Sequence, residues 1–367
     1  MEAKKTFQKF IVCFVTSTLI VMILLGGFVI LMDPLYHYHA PFWNIPIILD
    51  NAVYQTAGAA KNLEYDSAIV GTSMTENMHT SWFDEELGWN TMKLSYAGAR
   101  SSDLEAIFEQ ISQREGELKY LVTDINAYQL TSPSWTAYVE RPYYLYDNQW
   151  CNDYKYLLNH DVMVTSVKRW MDGLKGVADN IDSAYTWEDP ELFGKDITLS
   201  VTRDTRWQLI NNRPIDDSLY KVPGSISEQL EERIQTCQEN LDNILPFIEA
   251  HPETEFWIII PPYSMLYWEQ EILKGSLEDM LAVYEYAIGS FLKYDNVKVF
   301  YFQNEQDIIT NLDNFRDAAH HTPEINRYIF ECMVEDKNRL TKDNYKQELE
   351  EMYNFAKNYP YETIWEE

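Results

Sequence analysis

Five consecutive apolar residues, Phe256-Trp257-Ile258-Ile259-Ile260, run directly into Pro261-Pro262. A run that is apolar at every position buries both of its faces, and the paired prolines stop it because they donate no backbone N–H. It reads as a central strand of a parallel sheet, and parallel neighbours need crossover connections, usually helices. The chain supplies both. Ala68-Ile69-Val70, Thr91 to Leu94, Lys119 to Ile125 and Val297 to Phe302 are further short runs of strand character. Helical spacings separate them: Trp82, Phe83 and Leu87; Leu104, Ile107, Phe108 and Ile111 behind Ser101-Ser102-Asp103; and Leu277 to Leu292. A long helix is predicted from Ser225 to about Ala250, opened by Ser225 and Glu228 at capping-box spacing. The alternation predicts an α/β fold, a doubly wound parallel sheet.

A second constraint lies at the N-terminus. Phe10 to Met32 is almost wholly apolar and uncharged, long enough to cross a hydrocarbon core about 30 Å thick. Lys4, Lys5 and Lys9 precede it and Asp33 follows, which places the N-terminus in the cytoplasm and the remainder outside. A cleaved signal peptide is the alternative, but the run exceeds a usual h-region and no small-x-small site precedes Asp33-Pro34. The reading is an uncleaved single-pass anchor over 10–32, after a cytoplasmic stretch 1–9. An aromatic and Pro-rich juxtamembrane segment, 33–62, then packs on the domain or the lipid interface, or is an ordered linker.

The net charge of −29 argues against nucleic acid, whose phosphates require basic patches. No Gly-rich phosphate loop with its Lys is present, and the histidines lack metal-ligand spacing, so neither cofactor nor metal is expected. Cys151, Cys237 and Cys332 in the exported part form no disulfide framework; one bridge is compatible with them, of unspecified pairing.

Two short stretches carry chemistry. Ile69-Val70-Gly71-Thr72-Ser73-Met74-Thr75 places a serine at the carboxyl end of a strand, where α/β sheets hold their ligands. Gly71 permits a sharp turn, Thr72 or Ser73 can cap a helix, and the helix start offers N–H groups to a developing oxyanion. Such a sequence also suits a plain turn. Asp317-Ala318-Ala319-His320-His321-Thr322-Pro323 doubles a rare residue beside a carboxylate, in a chain with 7 His. Serine nucleophiles need an imidazole to take the proton and a carboxylate to orient it, and Asp three residues before His can meet that need locally. His321 is a substrate contact or filler.

Together these stretches resemble the SGNH/GDSL hydrolase superfamily, with Ser73 as the nucleophile of its first block and Asp317 and His320 as its Asp-x-x-His pair. Gly98 in Leu94-Ser95-Tyr96-Ala97-Gly98 matches the second block, and Asn126 after Tyr120 to Ile125 the third. The resemblance implies a three-layer, flavodoxin-like sheet with helices on both faces, and oxyanion donors from the Ser73 and Gly98 N–H groups and the Asn126 amide. Two positions depart from the pattern: Thr72 stands where the family has Asp, and Asp124 where it usually has Gly. Gly-Thr-Ser behind a membrane anchor is similar to the branch containing D-alanine-transfer and alginate-acetylation accessory proteins. That branch implies an exported serine esterase or O-acyltransferase acting on acylated cell-surface polysaccharide or cell-wall polymer, beside a membrane-bound O-acyltransferase. The competing reading is a non-catalytic SGNH-fold scaffold that binds polymer and partners such an enzyme.

The hydrolase domain is expected over 63–340, interrupted by an insertion at about 127–224 that roofs the site, with a helical tail over 341–367. The insertion is crowded with aromatic residues, among them Tyr128, Trp135, Tyr138, Trp150, Trp170 and Trp187, which suit sugar stacking or ordinary core. Arg141, Arg203, Arg206 and Arg213 suit anionic ligands or surface ion pairs.

Overall fold

Six strands form one sheet in the computed structural model, which describes residues 2–42, 45–134, 140–147, 149–177, 181–211 and 226–366. They are β1 (Ser67–Ile69), β2 (Thr91–Lys93), β3 (Tyr120–Asp124), β4 (Glu255–Ile260), β5 (Val297–Tyr301) and β6 (Arg339–Leu340), in the order β2-β1-β3-β4-β5-β6. The first five pair in parallel. β1, and β4 from Phe256 onward, are buried throughout, as expected of runs that are apolar on both faces.

The sheet is mixed rather than purely parallel, because β6 pairs antiparallel with β5. The helix Pro323–Val334 is followed by a short turn with two residues in the left-handed region, Asp336 (φ 54°) and Asn338 (φ 58°). Four residues separate that helix from β6, and the sharp reversal brings the chain back beside β5. Two strand residues in a charged segment carry no period-two signal, and the sequence reading saw only the helix beyond, observed as Tyr345–Asn358. One face of the sheet meets a cluster in which Ile69, Val122, Ile259 and Phe300 pack with Phe83, Phe315, Ile329 and Phe330. Each such side chain contributes roughly 1.5–3 kcal/mol by leaving water.

Several helices match the periodicities. Leu104, Ile107, Phe108 and Ile111 are all buried on the helix Ser101–Ile111, and Gly88 (φ 71°) ends Thr80–Leu87. The expected helix from Ser225 to Ala250 is instead two, Ile226–Leu241 and Leu245–Ala250. Pro246 explains the break: it has no N–H to donate, and in a continuous helix its ring would strike the carbonyl of Asp242. Trp43, Trp135, Tyr138, Arg213 and the Ser225–Glu228 capping box lie outside the described residues.

By internal contacts the chain divides into two units. One comprises Tyr65–Glu109, Gly116–Glu140 and Asp182–Glu367, and holds the sheet. The other comprises Met1–Glu64, Gln110–Glu115 and Arg141–Ile181. The aromatic stretch after residue 127 is thus shared between them, its 141–181 portion lying with the N-terminal segment. That second unit begins with the helix Glu2–Met32, long and apolar enough to cross a membrane. Its last turn is buried at Val29 and Met32. Asp33 follows (φ 35°), its carboxylate accepting the N–H groups of His37 (3.0 Å), Tyr38 (2.8 Å) and His39 (3.0 Å) and the Tyr156 hydroxyl (2.7 Å). The buried Arg169 guanidinium donates to the Asp33 and Pro46 carbonyls and lies 4.6 Å over the Tyr36 ring. All four cysteines are free thiols, Cys237 and Cys332 buried and Cys13 and Cys151 exposed.

Candidate active site

The parallel register sets the site. Ile69 pairs with Val122 and Asp124 with Ile259, so the residues just beyond β1, β3 and β4 emerge side by side at the carboxyl edge. Thr72 caps a single helical turn, Ser73–Glu76, its hydroxyl accepting the Met74 N–H at 3.2 Å. Ser73 is the first residue of that turn.

Gly71 owes its place to a close approach rather than to an unusual φ. A Cβ there would stand 2.2 Å from Asp124 Oδ1 and 2.5 Å from Thr75 Oγ1. Asp124, the last residue of β3, fills that space and is fully buried. Its carboxylate accepts the Thr72 N–H (2.7 Å), the Thr72 hydroxyl (2.8 Å), the Thr75 hydroxyl (3.3 Å) and the Asn126 amide (3.0 Å). Burial raises its pKa, against these donors, which favour the anion. Asp124 therefore ties the serine turn to the end of β3. An acidic residue closing an otherwise apolar strand was the available sign of this role.

The second stretch arrives on a tight loop. Phe315 and His321 form an antiparallel bridge, and Arg316 N–H donates to the His320 carbonyl at 3.0 Å. Asp317 closes the loop: Oδ1 accepts the Ala319 and His320 N–H groups, each at 2.8 Å, and Oδ2 receives His320 Nδ1–H at 2.8 Å. Burial opposes ionisation of Asp317, but the hydrogen bonds and charge from His320 and the two N–H groups hold its pKa below the usual carboxylate range. With Nδ1 donating, Nε2 is the acceptor, and it lies 2.8 Å from Ser73 Oγ. Ser264 steadies the loop, its N–H and hydroxyl both 3.0 Å from the Ala318 carbonyl.

Ser73, Gly98, Asn126, Asp317 and His320 all line one cavity of about 610 Å³. Gly98 (φ 74°) sits third in a turn closed by Ala99 N–H to the Tyr96 carbonyl, a position that requires φ above zero. Asn126 caps the helix Ala127–Thr131 through a reciprocal box with Gln129, which fixes its side chain at the cavity edge. His321 points elsewhere: it is buried and its Nε2 bonds Asn326 Oδ1 at 3.0 Å. It is filler, and burial lowers its pKa to about 4 despite the Asn326 contact.

Trp187, read from sequence as sugar stacking or core, lines the cavity, and Glu76 in its wall and Lys93 behind it escaped the sequence reading. Trp187 and His320 meet edge to face, ring centroids 5.7 Å apart, and the Arg316 guanidinium lies 5.3 Å from a Trp187 ring centroid. Glu76 lies three residues past Ser73, on the same face of the turn, which was the signal for it. Its carboxylate accepts the Ala97 N–H at 2.8 Å. Burial pushes its pKa up to about 7, against the Ala97 N–H, the facing Trp187 indole, Lys93 and His320. Lys93, buried and brought down to about 8 by burial, donates to the carbonyls of Glu76 (2.9 Å), Asp182 (3.1 Å) and Ala184 (3.1 Å).

Glu76 and His321 give opposite pH dependences of stability. The Glu76 pKa is raised by folding, so its contribution is present below about 4.5 and is lost as pH rises through about 7. The His321 pKa is depressed, so its contribution is present above about 6.5 and is lost as pH falls through about 4. Each is worth on the order of 3 kcal/mol, and they offset one another in the shared window. Glu76→Gln removes one of them. Relative to wild type, it should therefore lose stability as pH falls from 8 to 5, by up to ~3 kcal/mol. Urea midpoints of the detergent-solubilised proteins check this, and an equal gap at both pH values contradicts it.

A search of protein-family models returns no match for this chain, and a search of curated proteins returns none either.

Proposed function

We propose that this protein is an SGNH-type serine esterase or O-acyltransferase, anchored by Glu2–Met32 with its sheet-bearing unit outside the membrane. One observation carries the reading: Ser73 Oγ, His320 Nε2, His320 Nδ1 and Asp317 Oδ2 form an unbroken relay with both hydrogen bonds at 2.8 Å, in a cavity shared with Gly98 and Asn126. The strand order β2-β1-β3-β4-β5 supports a three-layer, flavodoxin-like core, since doubly wound sheets of that order bind at their carboxyl edge. Lys4, Lys5 and Lys9 support the orientation.

In this reading Ser73 Oγ attacks an acyl carbonyl while His320 Nε2 takes its proton, and Asp317 steadies the imidazolium. The Ser73 and Gly98 N–H groups stabilise the oxyanion, joined by the Asn126 amide when one N–H leaves its 3.3 Å contact with Thr72 Oγ1. The leaving alcohol takes the proton from Nε2, and water or a polymer hydroxyl then releases the acyl group from Ser73. Tyr128, Trp187 and Tyr263 give the cavity aromatic walls suited to a sugar ring. The substrate is an acylated cell-surface polysaccharide or cell-wall polymer, and a membrane-bound O-acyltransferase is the fitting partner.

The test uses the full chain in detergent. A small ester such as p-nitrophenyl acetate should be turned over, and a fluorophosphonate should label Ser73, as located by peptide mapping. Labelling of a different serine, or of none, returns the protein to a polymer-binding scaffold.

A further inference from the structure

The helix His160–Lys175 has three faces. At about 100° per residue, Val162, Ser166 and Arg169 fall on one arc and are buried. Asp161, Lys168, Asp172 and Lys175 form a second arc with both signs of charge. Val164, Val167, Met171 and Leu174, spaced three, four and three apart, form a third, with Trp170 at its margin. Past His160 at its start, that third arc is apolar and open to solvent: Val164 is 55% exposed, Trp170 49% and Leu174 73%. Trp150, at 84% exposure, and Tyr154 extend the open apolar surface of the same unit. A soluble surface of this kind is anomalous unless something covers it.

Its height along the N-terminal helix indicates what does. A hydrocarbon core of about 30 Å spans roughly 20 helical residues, which counted from Phe10 end near Val29. The helix His160–Lys175 packs against Glu2–Met32, as does the short helix Tyr154–Leu157. The grip is at this end: Val29 and Met32 are buried, and a Cβ on Gly26 would touch Leu157 at 3.9 Å. Immediately beyond, Tyr156 and Arg169 hold Asp33. The amphipathic helix is thereby fixed at the depth where acyl chains give way to headgroups.

We infer that the Val164–Val167–Met171–Leu174 face lies in the outer boundary of the bilayer, with lipid as its occupant. An apolar arc beside a charged one is the form of an in-plane helix, and exposed Trp and Tyr favour the same zone. Balanced charges on the polar arc mean that the lipid surface need not be anionic. The inference rests on Glu2–Met32 crossing the membrane, and the test separates the two.

In a Cys13→Ser, Cys151→Ser background, single cysteines are introduced by Val167→Cys, Leu174→Cys, Lys168→Cys or Ile20→Cys and labelled with an environment-sensitive fluorophore. The full chain is reconstituted in phosphatidylcholine vesicles carrying nitroxide lipids. Labels at 167 and 174 should shift to the blue and lose emission to shallow nitroxides but not to aqueous iodide. The label at 168 should show the reverse, and the label at 20 should respond to deep nitroxides. If 167 and 174 respond to iodide as 168 does while 20 responds to lipid, the helix stands in water and the inference is overturned with the span intact. Shielding of 167 and 174 from both quenchers means that protein covers the face, which also overturns it. A label at 20 that lipid does not reach removes the span and the inference together.

Discussion

Ester turnover should fall by on the order of 10⁴ to 10⁶ in Ser73→Ala, and by a similar factor in His320→Ala, because the two side chains act as one unit. They share a single 2.8 Å contact, and neither has a function in proton transfer without the other. The double variant should consequently be no worse than either single one, whereas independent contributions would multiply. Asp317→Asn should lose less, on the order of 10³ to 10⁴, because an amide N–H facing Nδ1 favours the imidazole tautomer whose Nε2 is already protonated. Its remaining carbonyl oxygen can still accept the Ala319 and His320 N–H groups that close the loop. Steady-state rates with a small ester decide the matter. Multiplicative losses in the double variant would show that Ser73 and His320 do not work as a pair.

Gly71→Ala should destabilise the protein by roughly 2–4 kcal/mol, in the range for overpacking a closed site that also holds hydrogen-bonded polar atoms. The new methyl would overlap Asp124 Oδ1 at 2.2 Å, and the carboxylate has no room to withdraw without abandoning four donors. Asp124→Gly alone should cost a similar amount, by leaving Thr72, Thr75 and Asn126 facing an empty site. The pair tests the cause. In the double variant the overlap with Asp124 is gone and only that with Thr75 Oγ1 remains, so its cost should fall short of the sum of the singles by on the order of 1–3 kcal/mol. Additive urea midpoints would refute the claim that Asp124 is why position 71 is glycine.

Much of the sheet was legible because a strand buried on both faces leaves a short, wholly apolar run, which Pro261-Pro262 mark off from a helix in Phe256 to Ile260. The Asp317–His320 contact was legible for a related reason: both residues belong to one short loop, so spacing alone constrains their geometry. What escaped is what long-range packing decides. Glu76 and Trp187 reach the same cavity from positions more than a hundred residues apart, and nothing local announces that meeting. Gly71 was read as a turn former, although a carboxylate on a different strand dictates it. Residues 127 to about 224 were read as one insertion because strand and helix alternation stops there. The grouping of its 141–181 portion with the N-terminal segment is a long-range matter that periodicity does not encode.

The burial of Val29 and Met32 has a practical bearing on how the protein can be handled. Trimming the chain at Asp33 to obtain a soluble fragment would do more than remove a tether. It would remove two buried side chains from the interior of the unit that contains them and uncover the helices packed against Glu2–Met32, at Leu157 opposite Gly26. Fragments prepared in that way should self-associate through the opened seam, and Asp33 would lose the helix end that sets its backbone. For this chain the boundary between tether and folded body runs inside the apolar helix rather than after it.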